Sequence, residues 1–316
     1  MKNCNRMNIE DLELSVPMKE LYNEVSPLIN KIEIVYTEND LSYSGVGARA
    51  IKLPNRDWEI ELRKDEPFME YVLSHELLHI LLDTKGYPNV SKIDISKKRW
   101  KIAQLLTNTV LHKIIIKKQL KRGFEIEDAR KEMLRDVADN WPTIRVLGDY
   151  GSFRDLVTLV SFMIEAEDYL DRYIGRIKEK NLFLYEHAER IYKEIYDEPY
   201  DSPYSTRKRL VRVFKAFDDL LKDNNLPQWK LFEKLSVVYI PSTWELQLSV
   251  SQVFDDATNQ NNDLFFYAKS DGQLSFAFEI KDVESYKEVE IEINKRRNMT
   301  VEGLFNESNT EYVTHN

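Results

Sequence analysis

The sequence predicts an α+β protein in which a small sheet packs on one apolar helix, followed by a helical extension and a smaller C-terminal α+β module. Three observations predict it. Trp58-Glu59-Ile60-Glu61-Leu62-Arg63 alternates apolar and charged residues, the period-two pattern of a strand with one buried and one wet face. Tyr71 to Leu82 is almost continuously apolar and is bounded by Pro67 before it and by Gly86 and Pro88 after it, which marks a helix buried nearly all round. Beyond Pro227 short alternating segments return, so a second mixed region follows the helical middle of the chain.

In chain order, residues 9–31 read as helical, and Lys31–Thr37 and Val46–Leu53 as strands that join the Trp58 strand in a small sheet. The Trp58 strand is either an edge strand, whose main-chain groups could pair with an extended peptide, or a plain structural strand. A helix starting between Ser96 and Lys98 runs to about Arg122, before Gly123. From Glu125 to Tyr196 the pattern is helical, with a break at Trp141-Pro142 and a long helix over Ser152–Lys178. Tyr200-Asp201-Ser202-Pro203-Tyr204 reads as a connector, so residues 1–199 form one domain with a core at 15–125, and 200–297 form an interaction or regulatory module. In that module Leu210, Val213, Phe214, Phe217, Leu220 and Leu221 stripe a helix over Ser205–Asp223. Trp244–Val253, Leu264–Ala268, Leu274–Ile280 and Glu288–Asn294 read as strands, with Lys269-Ser270-Asp271-Gly272 as a hairpin turn. Residues 298–316 read as a polar, loosely ordered tail.

The apolar helix carries His75-Glu76-Leu77-Leu78-His79. Two imidazoles one helical turn apart face the same way and can hold one metal ion. Zinc suits them, but it needs a third protein ligand and an open fourth position to activate water. Glu76 projects beside the ion, where a carboxylate can take a proton from that water and pass it to a departing amide nitrogen. Peptide hydrolysis is therefore the natural reaction class. Asp83, one turn beyond His79, is either a carboxylate that orients a metal-bound histidine or a solvated residue near the helix end.

The order of a strand such as Trp58–Arg63, a helix carrying His75, Glu76 and His79, and a following helix resembles the zincin metallopeptidases, with the cytosolic ImmA/IrrE-like group the nearest comparison. The resemblance covers roughly residues 15–125 and implies a zincin-like fold, zinc, and a third ligand on the following helix. The glutamate that this group would place near Gln104 is absent, because no acidic residue occurs between Ile95 and Arg122. His112 is then the best ligand on that helix, since imidazole is a good zinc donor and the amides of Gln104 and Asn108, on the same face, are poor ones. Asn108 would be a supporting or substrate-contacting residue. Two carboxylate sets, Glu125, Glu127 and Asp128, and Glu165, Glu167 and Asp168, are alternative ligands that read as solvated helix faces. His187 and His315 read as surface or packing residues, and Tyr87 as packing rather than an oxyanion donor.

One cysteine, Cys4, excludes an internal disulfide, the N-terminus lacks the apolar core of a signal peptide, and no apolar run reaches membrane-spanning length. The expectation is a cytoplasmic enzyme with a protein or peptide substrate and no membrane partner. A net charge of −9 argues against nucleic acid. Lys113, Lys117 and Lys121 form a stripe that reads as a solvated face, with an acidic partner as the alternative. The competing functional class is a catalytically inactive interaction or sensor protein that keeps a zincin scaffold.

Overall fold

The structure, a computed structural model, describes residues 6–37, 47–93, 95–139, 147–259, 263–280 and 285–315. Their elements begin with β1 (Arg6–Asn8), α1 (Val16–Val25), β2 (Lys31–Thr37), β3 (Ala48–Lys52), β4 (Asp57–Arg63), α2 (Met69–Thr84), β5 (Val90–Lys92) and α3 (Lys97–Lys121). There follow α4 (Glu127–Asp139), α5 (Tyr150–Glu165), α6 (Leu170–Tyr196), α7 (Pro203–Asp223), α8 (Leu231–Lys234) and β6 (Leu235–Val237). The last are α9 (Val250–Val253), β7 (Phe254–Thr258), β8 (Leu264–Ala268), β9 (Leu274–Phe278), α10 (Tyr286–Asn298) and α11 (Val301–Glu307). The protein is mixed α+β with small sheets, as expected.

The chain divides into two compact units. One comprises Met1–Lys85, Leu111–Leu147 and Arg154–Tyr192; the other comprises Gly86–Val110, Gly148–Phe153 and Lys193–Asn316. These limits differ from a single division after residue 199, because two stretches of the first half group with C-terminal residues.

The first unit is built on a four-stranded sheet ordered β1-β2-β4-β3, with β2 and β4 parallel and the outer strands antiparallel to their neighbours. The alternation seen in sequence holds: Trp58, Ile60 and Leu62 of β4 are buried, as are Ile32 and Ile34 of β2. β4 is not the edge strand, however. β3 pairs along it with Ala50 opposite Ile60, so among the described residues the outer strands of this sheet are β1 and β3. Leu53 N–H donates to the Asp57 carbonyl and Arg63 N–H to the Gly47 carbonyl. In an antiparallel ladder the odd-numbered residues of β3 therefore bond to β4, and the N–H groups of Ala48, Ala50 and Lys52 point off the edge.

α2 packs against α1 and β3. It starts where the Glu66 carboxylate accepts the Phe68 N–H at 3.2 Å, and the chain leaves it through Gly86, whose φ of 75° a side chain would resist. Tyr71 to Leu78 and Ile80 to Leu82 are buried, and each fully buried leucine or isoleucine contributes about 1.5–3 kcal/mol. The expected helix over 9–31 is α1 flanked by two short 3-10 turns, and the expected helix over Ser152–Lys178 is interrupted between α5 and α6. The break anticipated at Trp141-Pro142 and the position of Cys4 lie outside the described residues.

The second unit contains the antiparallel sheet β7-β8-β9 and the two-stranded pair of β5 and β6. The predicted stripe of α7 is buried, and the predicted turn at Gly272, with φ 72°, joins β8 to β9. Three expectations are corrected. Trp244–Val253 is a 3-10 turn followed by α9, started by reciprocal hydrogen bonds between Ser249 and Gln252. Glu288–Asn294 lies within α10, where Ser285 and Glu288 make the same box; alternation of Val, Ile and Glu fits either period, and the cap selects the helix. The segment expected over 298–316 is not a loose tail across its described residues, 298–315, because α11 buries Val301, Leu304 and Phe305 in one cluster with Phe254, Phe266 and Phe276. Among the described residues no helix is long and apolar enough to cross a membrane.

Candidate metal centre

α2 presents His75 and His79 one turn apart, and α3 brings His112 to them. His75 Nε2 lies 3.3 Å from His112 Nε2 and 3.2 Å from His79 Nε2. One ring nitrogen from each histidine falls within 4.8 Å of the others, a cluster that could hold a metal ion. His75 and His112 are buried and His79 is partly so.

Three imidazoles in this arrangement cannot satisfy one another. His75 Nε2 carries either one proton or one lone pair, so it can serve only one of its two neighbours and leaves the other contact unsatisfied. His75 Nδ1 is also buried without a hydrogen-bond partner. Burial, reinforced by the other two histidines, holds His75 well below the usual histidine range. Burial, then His112, lowers His79 to about 3. Both rings are therefore neutral near pH 7, the form that ligates a metal.

The placement of α3 against the motif has a visible cause in Gln119, two turns beyond His112 on the same face. This fully buried amide donates to the Tyr71 carbonyl at 3.0 Å and to Ser74 Oγ at 2.8 Å, and Ser74 Oγ donates to the same carbonyl at 2.9 Å. A side-chain amide interrupting Ile114-Ile115-Ile116 and Leu120 at seven residues from His112 was the sequence signal for it.

Glu76 is buried, and its Oε2 accepts the outward N–H of Ala50 on β3 at 2.7 Å. Burial pushes its carboxyl up to about 7, against the opposing pull of that N–H. The motif glutamate and the outer side of β3 are thus in direct contact. Asp83 accepts from Lys52 Nζ at 2.6 Å. The carboxylate beside the third histidine is Glu165, whose Oε1 stands 3.1 Å from His112 Nδ1, at contact distance but off the hydrogen-bond direction.

The expectation that Glu165 lies on a solvated face is corrected. It is buried at the end of α5, where Phe162, Met163 and Ile164 carry the last turn into the core. Glu125, Glu127, Asp128 and Glu167 are exposed, as are Gln104 and Asn108; the side chain of Asp168 lies outside the described residues. His187 packs edge-on against Phe183, and His315 stacks on Tyr204. Tyr87 O–H donates to the Asp201 carbonyl, in keeping with a packing role. No protein-family model, curated protein or solved structure matches the chain.

Proposed function

We propose that this protein is a zinc-dependent peptidase with a zincin-like arrangement, in which His75, His79 and His112 hold the ion and Glu76 is the general base. The observation that carries the reading is the spacing of His75 Nε2 from the ring nitrogens of His79 and His112. Zinc–nitrogen bonds of about 2.0–2.1 Å at tetrahedral angles separate ligand nitrogens by about 3.3–3.4 Å. The two contacts of His75 stand at 3.3 and 3.2 Å. Three imidazoles leave one of four positions open, the donor set of a catalytic rather than a structural zinc. When bound, such an ion polarises a carbonyl and lowers the pKa of water towards about 7.

Glu76 then takes the proton of the attacking water at its carboxylate and delivers it to the departing amide nitrogen. A peptide substrate is supported by β3: among the described residues no strand pairs with its outer side, so the outward groups flanking Ala50, whose own N–H is held by Glu76, could pair with an extended chain.

The test is Glu76→Gln. It should retain about one zinc per chain while cleavage of an unfolded protein such as casein drops by about 10²–10⁴-fold, the usual share of a general base. Cleavage at the wild-type rate by that variant would sink the mechanism.

A further inference from the structure

The helical segment beyond the motif helix and its successor contributes a side chain to the histidine cluster. Glu165 sits at the C-terminal end of α5, buried, with Oε1 3.1 Å from His112 Nδ1 and with Oε2 lacking any hydrogen-bond partner. Its backbone is held as firmly as its carboxylate is placed. Arg130 of α4, 1% exposed, donates from Nε and Nη2 to the Glu165 carbonyl at 3.2 and 2.6 Å. The Arg130 guanidinium also lies over the Tyr169 ring. Arg130 thus fixes the end of α5, and the end of α5 fixes the carboxylate.

A buried carboxylate with one oxygen unpartnered is costly unless a compensating charge lies near. The tautomer of His112 explains its placement. If His112 offers Nε2 to an ion shared with His75 and His79, its proton must reside on Nδ1, the nitrogen that faces Glu165. A carboxylate 3.1 Å away would accept that proton's hydrogen bond after a small turn of the ring from its present off-line contact, and would then hold the ring in the ligating orientation and offset part of the ion's charge.

We propose that Glu165 is the positioning residue of the third metal ligand, and that α4 and α5 are part of the metal site rather than an appended layer. The inference rests on the metal reading given above. It accounts for a buried carboxylate outside the expected core of residues 15–125, and it makes ligand competence of His112 depend on a residue 53 positions later.

The experiment measures zinc affinity of the metal-free full-length chain by competition with a chromophoric chelator, with thermal unfolding recorded in parallel. Wild type, Glu165→Gln, Glu165→Ala, His112→Ala and the His112→Ala/Glu165→Ala double variant are compared. Loss of an outer-shell partner of a metal-bound histidine weakens binding by about 10–100-fold, and that is the effect expected of Glu165→Ala. Glu165→Gln, which keeps the shape and an accepting oxygen, should recover part of it. In the His112→Ala background, Glu165→Ala should change the residual affinity by less than about twofold, because the ring it positions is gone.

Wild-type affinity in Glu165→Ala overturns the proposal, and so does an equal loss in both backgrounds, which would mark a merely structural carboxylate. If Glu165→Ala fails to fold, the isosteric Glu165→Gln decides: binding indistinguishable from wild type in that variant also overturns the proposal. A wild-type chain that takes up no zinc overturns the metal reading itself, a result distinct from a loaded wild type with an indifferent Glu165.

Discussion

Acidifying the metal-free protein should weaken it in a way that one histidine substitution removes. His79 is held neutral in the folded chain, its pKa lowered to about 3 by burial and then by His112, whereas an unfolded histidine titrates near 6.5. The unfolded state therefore binds more protons between those values, and stability rises with pH. The contribution is fully present above about 6.5, declines as pH falls and levels off below about 3. At pH 5, about 1.5 units into that window, His79 costs about 2 kcal/mol. His75, also depressed by burial, acts in the same direction.

The assay is urea unfolding of the chelator-treated protein at pH 7, 6 and 5, wild type against His79→Gln, followed by circular dichroism. Glutamine does not titrate, so the difference in unfolding free energy between the two chains should shift by about 2 kcal/mol across that range. Wild type loses more. Parallel pH dependences in the two chains would refute the claim that His79 is buried as a neutral ring. Zinc should oppose the effect, since it binds the neutral ring and adds about 2.7 kcal/mol at a free concentration one hundred times its Kd.

Two further outcomes follow from other contacts. Ala50→Pro removes an N–H that points off the edge of β3 and so spares the ladder; because that N–H favours the charged form of Glu76, the rising limb of the pH–rate profile should move to higher pH, and an unmoved limb would show the contact to be idle. Phe266→Ala empties a fully buried position between Phe254 and Phe278 in the second unit; calorimetry should show that unit destabilised by about 3–5 kcal/mol, and a loss below about 1 kcal/mol would mean the cavity collapses.

The local features were legible because their causes are local. Period-two alternation marked β2 and β4, the Pro67 and Gly86 boundaries marked α2, and both agree with the structure to within a few residues. His75, Glu76 and His79 share a helix, so their common face needs only helical geometry. Where two periods fitted equally, as along Glu288–Asn294, the Ser285–Glu288 cap was the deciding local signal and it was present in the sequence. The hydrophobic residues of α11 were likewise visible, but their partners Phe254 and Phe276 are distant in sequence, so burial there could not be inferred from the segment alone.

Residue types and their spacing along single helices thus marked the motif and the metal-ligating chemistry it suits, and a family resemblance directed attention to His112 on the following helix. Tertiary structure decided the remainder. Strand order made β3, not β4, an outer strand among the described residues, since hydrogen-bond pairing between strands leaves no mark in either strand's own alternation. The packing of α3 on α2, tied by Gln119, brought three imidazoles to one point, and the burial of the last turn of α5 converted Glu165 from an apparent surface acid into the neighbour of His112. A carboxylate's role depends on the solvent and charges around it, and these are set by residues brought near only when the chain folds.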